Sequence, residues 1–211
     1  MARKLLVIGG SGTGKSTSLR NLDPHETAII KCVNKELPFK KGDTTFKSMV
    51  CSDANSIVNT VAQILQKAPH KKVIVIDDLI YLSVKTFMDR SKEKGYEKFT
   101  DIANDLYKVI MIPDMLQNRP DLTFIYITHS ETNPQTMETN VRGIGKAISE
   151  KVVIEGLFTI VLETEVTNGE YKFKTHNTTG TSVVKTPLDM FDEDEIDNDL
   201  NLVLKALKEY Y

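Results

Sequence analysis

The sequence has no tryptophan, only two cysteines among 211 residues, and no apolar run near the length that spans a bilayer. The cysteines, Cys32 and Cys51, show neither CxxC spacing nor a nearby histidine cluster. That argues against a zinc site and against a disulfide scaffold, and leaves two buried, reduced thiols as the expectation. The apolar stretch after Met1-Ala2-Arg3-Lys4 is too short for the apolar region of a secretory signal, so a cytoplasmic location and no membrane partner are expected. Basic residues are absent from 189–199, where seven acids fall, and the body before that segment is mildly basic. This asymmetry permits contact with nucleic acid without requiring it, and a solvated run leading into a helix is the plainer account of the acids.

What is present is an alternation of apolar runs and amphipathic stretches, which predicts an α/β domain with a largely parallel sheet. Residues 5–8, 27–30, 73–76 and 122–127 read as buried strands. Between the second and third, Ile57, Val61 and Leu65 recur at four-residue spacing and predict a helix over 52–67. Two more helices are expected over 79–92 and 99–116, with Pro113 kinking or ending the second. Residues 130–140 are polar and aperiodic and read as a mobile loop, followed by a helix from Gly143 to about Val152. Residues 157–165 and 171–175 flank Thr167-Asn168-Gly169, a hairpin turn. A closing helix is expected from about Glu195. A core over 1–188 then carries an acidic segment and C-terminal helix over 189–211, packed on or beside it.

The chemistry concentrates at strand ends. Gly9-Gly10-Ser11-Gly12-Thr13-Gly14-Lys15-Ser16 fits GxxxxGK[ST], the Walker A pattern, and it follows a buried strand and opens a helix over 16–22. In such a loop backbone N–H groups curl around phosphate oxygens at a helix N-terminus. Lys15 is expected to reach the β- and γ-phosphates, the Ser16 hydroxyl to join a Mg²⁺ shell, and Thr17 to complete the phosphate-binding set. Val73-Ile74-Val75-Ile76-Asp77-Asp78 reads as Walker B, a strand delivering a carboxylate to the sheet edge where ligands gather. Asp77 is the expected Mg²⁺-organising acid. Asp78 either orients the attacking water or caps the next helix. Thr128-His129 ends the following strand, where His129 is placed to sense the γ-phosphate, the plainer account being a surface histidine. Glu36 is either a general base for the attacking water or an exposed loop glutamate. Arg142 and Lys146 are either trans-acting cations for a neighbouring subunit or a solvated helix start.

Taken with Lys35-Glu36-Leu37-Pro38-Phe39, Tyr96-Glu97-Lys98-Phe99-Thr100, Thr128-His129-Ser130-Glu131, Gly145-Lys146, Glu155-Gly156-Leu157-Phe158-Thr159, Lys185-Thr186-Pro187 and Asn198-Asp199-Leu200, these motifs resemble the phage-encoded, core-only RecA-like P-loop ATPases over about the whole chain. The resemblance implies a RecA-like core binding ATP or ADP with Mg²⁺, related to phage single-strand annealing proteins, and a role in phage recombination or replication through nucleotide-controlled binding or annealing of single-stranded DNA in the host cytoplasm. It also implies a homo-oligomer, ring or filament, and single-stranded DNA facing the segments after Asp78 and after His129. Candidate DNA contacts are Lys85, Arg90, Lys92, Lys94 and Tyr96 in the first, and Asn133, Gln135, Asn140 and Arg142 in the second. The second segment has no aromatic residue and, before Arg142, no base, so the first is the better supplied. A small-molecule kinase would want an arginine-rich lid, whereas Arg3, Arg20, Arg90, Arg119 and Arg142 are scattered. A nucleotide-dependent interaction module with little turnover needs only Lys15 and Asp77.

Overall fold

A computed structural model describes residues 1–143 and 153–211. Its centre is an eight-stranded sheet in the order β10-β9-β8-β1-β5-β4-β2-β3, parallel from β8 through β3. The strands are β1 (Arg3–Ile8), β2 (Thr27–Lys31), β3 (Met49–Val50), β4 (Val73–Asp77), β5 (Thr123–Ile127), β8 (Ile160–Thr167), β9 (Glu170–Lys174) and β10 (Glu195–Asp197). The short strands β6 (Ser130–Thr132) and β7 (Thr139–Val141) form a separate antiparallel hairpin. The inner strands read as continuous apolar runs because both faces of a parallel sheet are covered.

Alternate side chains on those strands feed two separate cores. Leu6, Ile8, Ile74, Ile76, Phe124 and Tyr126 pack against α2 (Ala54–Lys67) and α4 (Glu97–Ile110) on one face, beside Leu82 of α3 (Ile80–Asp89). Leu5, Val7, Val75, Ile125 and Ile127 pack on the other, against Leu19 and the closing helix α5 (Leu200–Tyr210). No helix among the described residues is long and apolar enough to cross a membrane. Cys32 and Cys51 are both buried and unbridged, and burial pushes the Cys32 thiol far up from its ordinary value.

Several local expectations change. The segment after the glycine-rich loop is a six-residue 3-10 helix, Ser16–Asn21, and it stops because Pro24 disfavours helical backbone at Asp23. Residues 130–140 are not an open loop. Thr132 and Thr139 face each other across β6 and β7 with their hydroxyls 2.9 Å apart, a pairing that needs no apolar period. The closing helix begins at Leu200, not Glu195, because the Asp199 side chain caps it by accepting from the Asn201 N–H. Residues 195–197 form β10 instead, with Ile196 packed inward. The one-turn helix α1 (Gly42–Phe46) and β3 had no counterpart in the sequence pattern. Helix α4 ends at Ile110, three residues before Pro113, and α3 is shorter than expected. The helix expected from Gly143 to about Val152 lies almost wholly outside the described residues, as do Gly145 and Lys146.

Candidate functional site

The sheet order builds the site. Because β1, β2, β4, β5 and β8 run parallel, their carboxyl ends share one edge, and β5 lies between β1 and β4. Strands β2 to β5 lie on one side of β1 and β8 lies on the other, which puts a crevice at the carboxyl end of β1. Residues 9–16 cross this crevice. The loop is braced from β8: the Thr164 hydroxyl donates to Ile8 O (3.2 Å) and lies 2.5 Å from the Thr13 hydroxyl, which bonds Gly10 O at 2.9 Å. A Cβ on Gly9 would lie 2.0 Å from Thr164 Oγ1, so only glycine passes beneath this brace. Gly14 has φ +94°, a left-handed conformation costly to other residues.

Lys15, Ser16 and Asp77 are all buried. The Lys15 ammonium donates to Gly10 O at 2.5 Å, folding back across its own loop. Burial lowers its pKa to about 8, with Asp78 and Asp77 opposing. An anion drawn into the loop would raise that pKa again. The Ser16 hydroxyl donates to Asp77 Oδ1 at 3.0 Å, whereas Oδ2 has no hydrogen-bond partner among the described residues. Burial, and then the neighbouring Asp78, raises the Asp77 pKa to about 6. A buried carboxylate oxygen with nothing to accept from is costly unless something else occupies that side.

Asp78 is buried with φ +59°, and its backbone turn is fastened to β5 by the Leu79 N–H on Ile127 O at 2.9 Å. It does not cap α3, whose first turn has no side-chain cap. Its carboxylate instead forms an ion pair with Lys35 and lies 3.6 Å from His129 Nε2. Burial works against the Lys35 charge, but that pair outweighs it and the lysine pKa rises. Burial, with Lys15 next, lowers the pKa of His129 and keeps it neutral at neutral pH.

Lys15, Ser16, Lys35, Asp78 and His129 line one cleft of about 310 Å³ with Ser11, Gly12, Gly14, Thr17, Pro38 and Tyr171, whereas Asp77, bonded to Ser16, is not part of its wall. Glu36 is exposed and is not part of that wall. Lys35, one residue earlier, does line the cleft, although its side chain is 46 % exposed. A larger cleft, about 530 Å³, opens among Arg3, Thr27, Val73 and Thr123, where strands begin; it lies at the edge away from the loop and both carboxylates. Beside the first cleft a second, of about 350 Å³, runs between Ile80, Tyr81 and Val84 of α3 and Arg142 and Gly143, and His129 borders both. Of the basic residues expected to face DNA, Lys85 pairs with Asp89, and Arg90 with Glu93 and Asp101. Lys92 and Lys94 form no ion pair among the described residues, and Tyr96 is highly exposed. Asn133 and Gln135 lie in the exposed turn of the β6–β7 hairpin, and Asn140 is exposed on β7.

The residues that the sequence pattern did not single out are Lys35 as a carboxylate partner, Thr164 as a brace, and Tyr171 and Asn198 beside Gly14. Each is contributed from far along the chain, so no local spacing announces it.

A hydroxyl bonded to a carboxylate that keeps one unpartnered oxygen offers hard donors of the kind Mg²⁺ takes, two protein ligands being usual where phosphates and water fill the rest. Among the described residues no group of three or more His, Cys, Asp or Glu side chains forms an all-protein metal cage. The donor set therefore fits a metal that arrives with a phosphate ligand. In comparisons with known proteins, no family model and no curated protein matches the chain.

Proposed function

We propose that the chain is a Mg-ATP-binding P-loop ATPase with a RecA-like core, in which nucleotide state controls binding of single-stranded DNA during phage recombination or replication. The observation that carries this reading is the convergence of Lys15, Ser16 and Asp77 at the carboxyl edge of a parallel sheet. There the Ser16–Asp77 hydrogen bond leaves one buried carboxylate oxygen turned to no protein partner. Ser16 and Asp77 would hold Mg²⁺, which when bound neutralises charge developing on the transferred phosphoryl group. Backbone N–H groups of the loop bind the phosphates, and Lys15 leaves Gly10 O to pair with them. Asp78 lines the cleft and takes the place of the group that orients water once Lys35 turns to phosphate.

The coupling to DNA is supported by position. His129 borders both the nucleotide cleft and the cleft between α3 and Arg142. The latter lies between the two segments expected to face DNA. Arg142 is exposed at its rim, which supports a role for it toward a neighbouring copy in a homo-oligomer. A second reading, a nucleotide-dependent interaction module with little turnover, is favoured by the exposure of Glu36 and by the Lys35 cation sitting on Asp78.

The test is Mg-ATP binding by calorimetry, with phosphate release followed with and without single-stranded DNA. Binding with DNA-stimulated release is expected, and Lys15→Ala should abolish both. Unchanged binding in Lys15→Ala would sink the site. Binding without release under either condition would select the second reading.

A further inference from the structure

The two flanks of the loop differ in chemistry. Lys35, Asp78 and His129 come from the segments after β2, β4 and β5, and all stand on one side of β1. On the other side stands the β8–β9 hairpin, and the only side chain it adds to the cleft wall is Tyr171. The tyrosine ring is about half exposed, and its Cδ1 lies 2.8 Å from where a Cβ on Gly14 would sit. Asn198 adjoins the same spot, with Oδ1 at 3.1 Å and Nδ2 at 3.3 Å from that position. Its side chain is buried, and neither polar atom has a hydrogen-bond partner among the described residues. The backbone ties these pieces together: Asn198 N–H donates to Tyr171 O at 3.2 Å, and Arg20, just past the loop, donates to Asn198 O at 2.6 Å.

We propose that Tyr171 is the stacking platform for the nucleobase, and that the Asn198 amide supplies a donor and an acceptor to the polar edge of the nucleoside. This rests on the triphosphate reading above. The charged end of the ligand must lie with Lys15 and the Ser16–Asp77 pair, so the nucleoside leaves the loop on the flank that carries no ionised group in the cleft wall. A base there needs an apolar face to replace its water, and a half-exposed tyrosine ring provides one. For the ligand to reach the Asn198 amide, which adjoins Gly14 and is not in the cleft wall, the Gly14 backbone must move aside on binding. An amide that presents donor and acceptor side by side matches the N6 and N7 edge of adenine better than the edge of guanine.

The experiment titrates the full chain with Mg-ATP and, separately, with magnesium and inorganic tripolyphosphate, which keeps the phosphates and lacks the nucleoside. Tyr171→Ala should weaken ATP about tenfold or more and leave tripolyphosphate within about twofold. Tyr171→Phe should restore ATP affinity, and Tyr171→Leu, which keeps bulk without an aromatic face, should not. Asn198→Ala should narrow the preference for ATP over GTP without changing tripolyphosphate. Equal losses for ATP and tripolyphosphate in Tyr171→Ala, or no loss for either, would overturn the proposal. Wild-type protein that binds both ligands with the same affinity refutes the nucleoside subsite alone. Wild-type protein that binds neither refutes the triphosphate reading beneath it.

Discussion

Replacing Asp77 by Asn should make the protein more stable while removing the Mg-dependent affinity for ATP that we propose. The carboxyl is fully buried, and its pKa is raised from 3.8 to about 6, chiefly by burial and then by Asp78. Below pH 3.8 the group is protonated in folded and unfolded chains alike and costs nothing. As pH rises through 3.8 to about 6, the unfolded chain releases the proton first, so stability falls across that window and the loss is complete above it. A difference of about two units at about 1.36 kcal/mol each gives ~3 kcal/mol at pH 8. Asparagine keeps an oxygen to accept from Ser16 and has no charge to bury. For a chain of this size ~3 kcal/mol corresponds to a rise of ~6–12 °C in Tm. The assay is thermal unfolding of wild type and Asp77→Asn at pH 4.5 and pH 8, without nucleotide. The gain should be near its full value at pH 8 and shrink to ~1 kcal/mol at pH 4.5. A variant less stable than wild type at pH 8, or a gain that does not vary with pH, would refute the reasoning.

Two further outcomes concern other residues. Asp78→Asn should stop phosphate release while sparing ATP affinity, whereas Glu36→Gln, whose side chain lies outside the cleft wall, should leave both nearly unchanged; the reverse pattern in single-turnover assays would make Glu36 the base. Leu207→Ala, on the buried face of α5, should cost ~2–5 kcal/mol in urea unfolding, because that helix covers the sheet; a cost below ~1 kcal/mol would mean the helix is peripheral.

The strands of the parallel sheet were legible because each is a run of apolar residues stopped by a turn or a charge, and 73–76 and 122–127 need no other cue. The loop over 9–16 was legible because its pattern is tied to a strand before it. The hairpin after Glu165 announced itself through Asn168-Gly169, whose φ values of +54° and +82° suit a tight turn. What stayed hidden depends on partners distant in sequence. Residues 130–140 are polar and have no apolar period, so only the cross-strand threonines reveal β6 and β7. Residues 195–197 look like the start of an acidic helix until Phe173 on β9 offers Ile196 a strand to pair with. At the site, the motif positions could be named from spacing alone, but not that Lys35 rather than Glu36 would line the cleft, nor that Asp78 would face a cation instead of capping a helix.

The bond from Asn198 to Tyr171 and the closeness of Asn198 to Gly14 join one end of the chain to the other. The strand that bears the loop waits in the same way, since its two partners in the sheet, β5 and β8, both come from beyond the first hundred residues. Contacts of such separation are slow to form. During synthesis, therefore, a chain with its glycine-rich loop already made still lacks the walls that give the loop its shape. If the loop binds nucleotide as proposed, that binding waits for Tyr171 and Asn198 to arrive, so chains truncated before residue 171 should not show it.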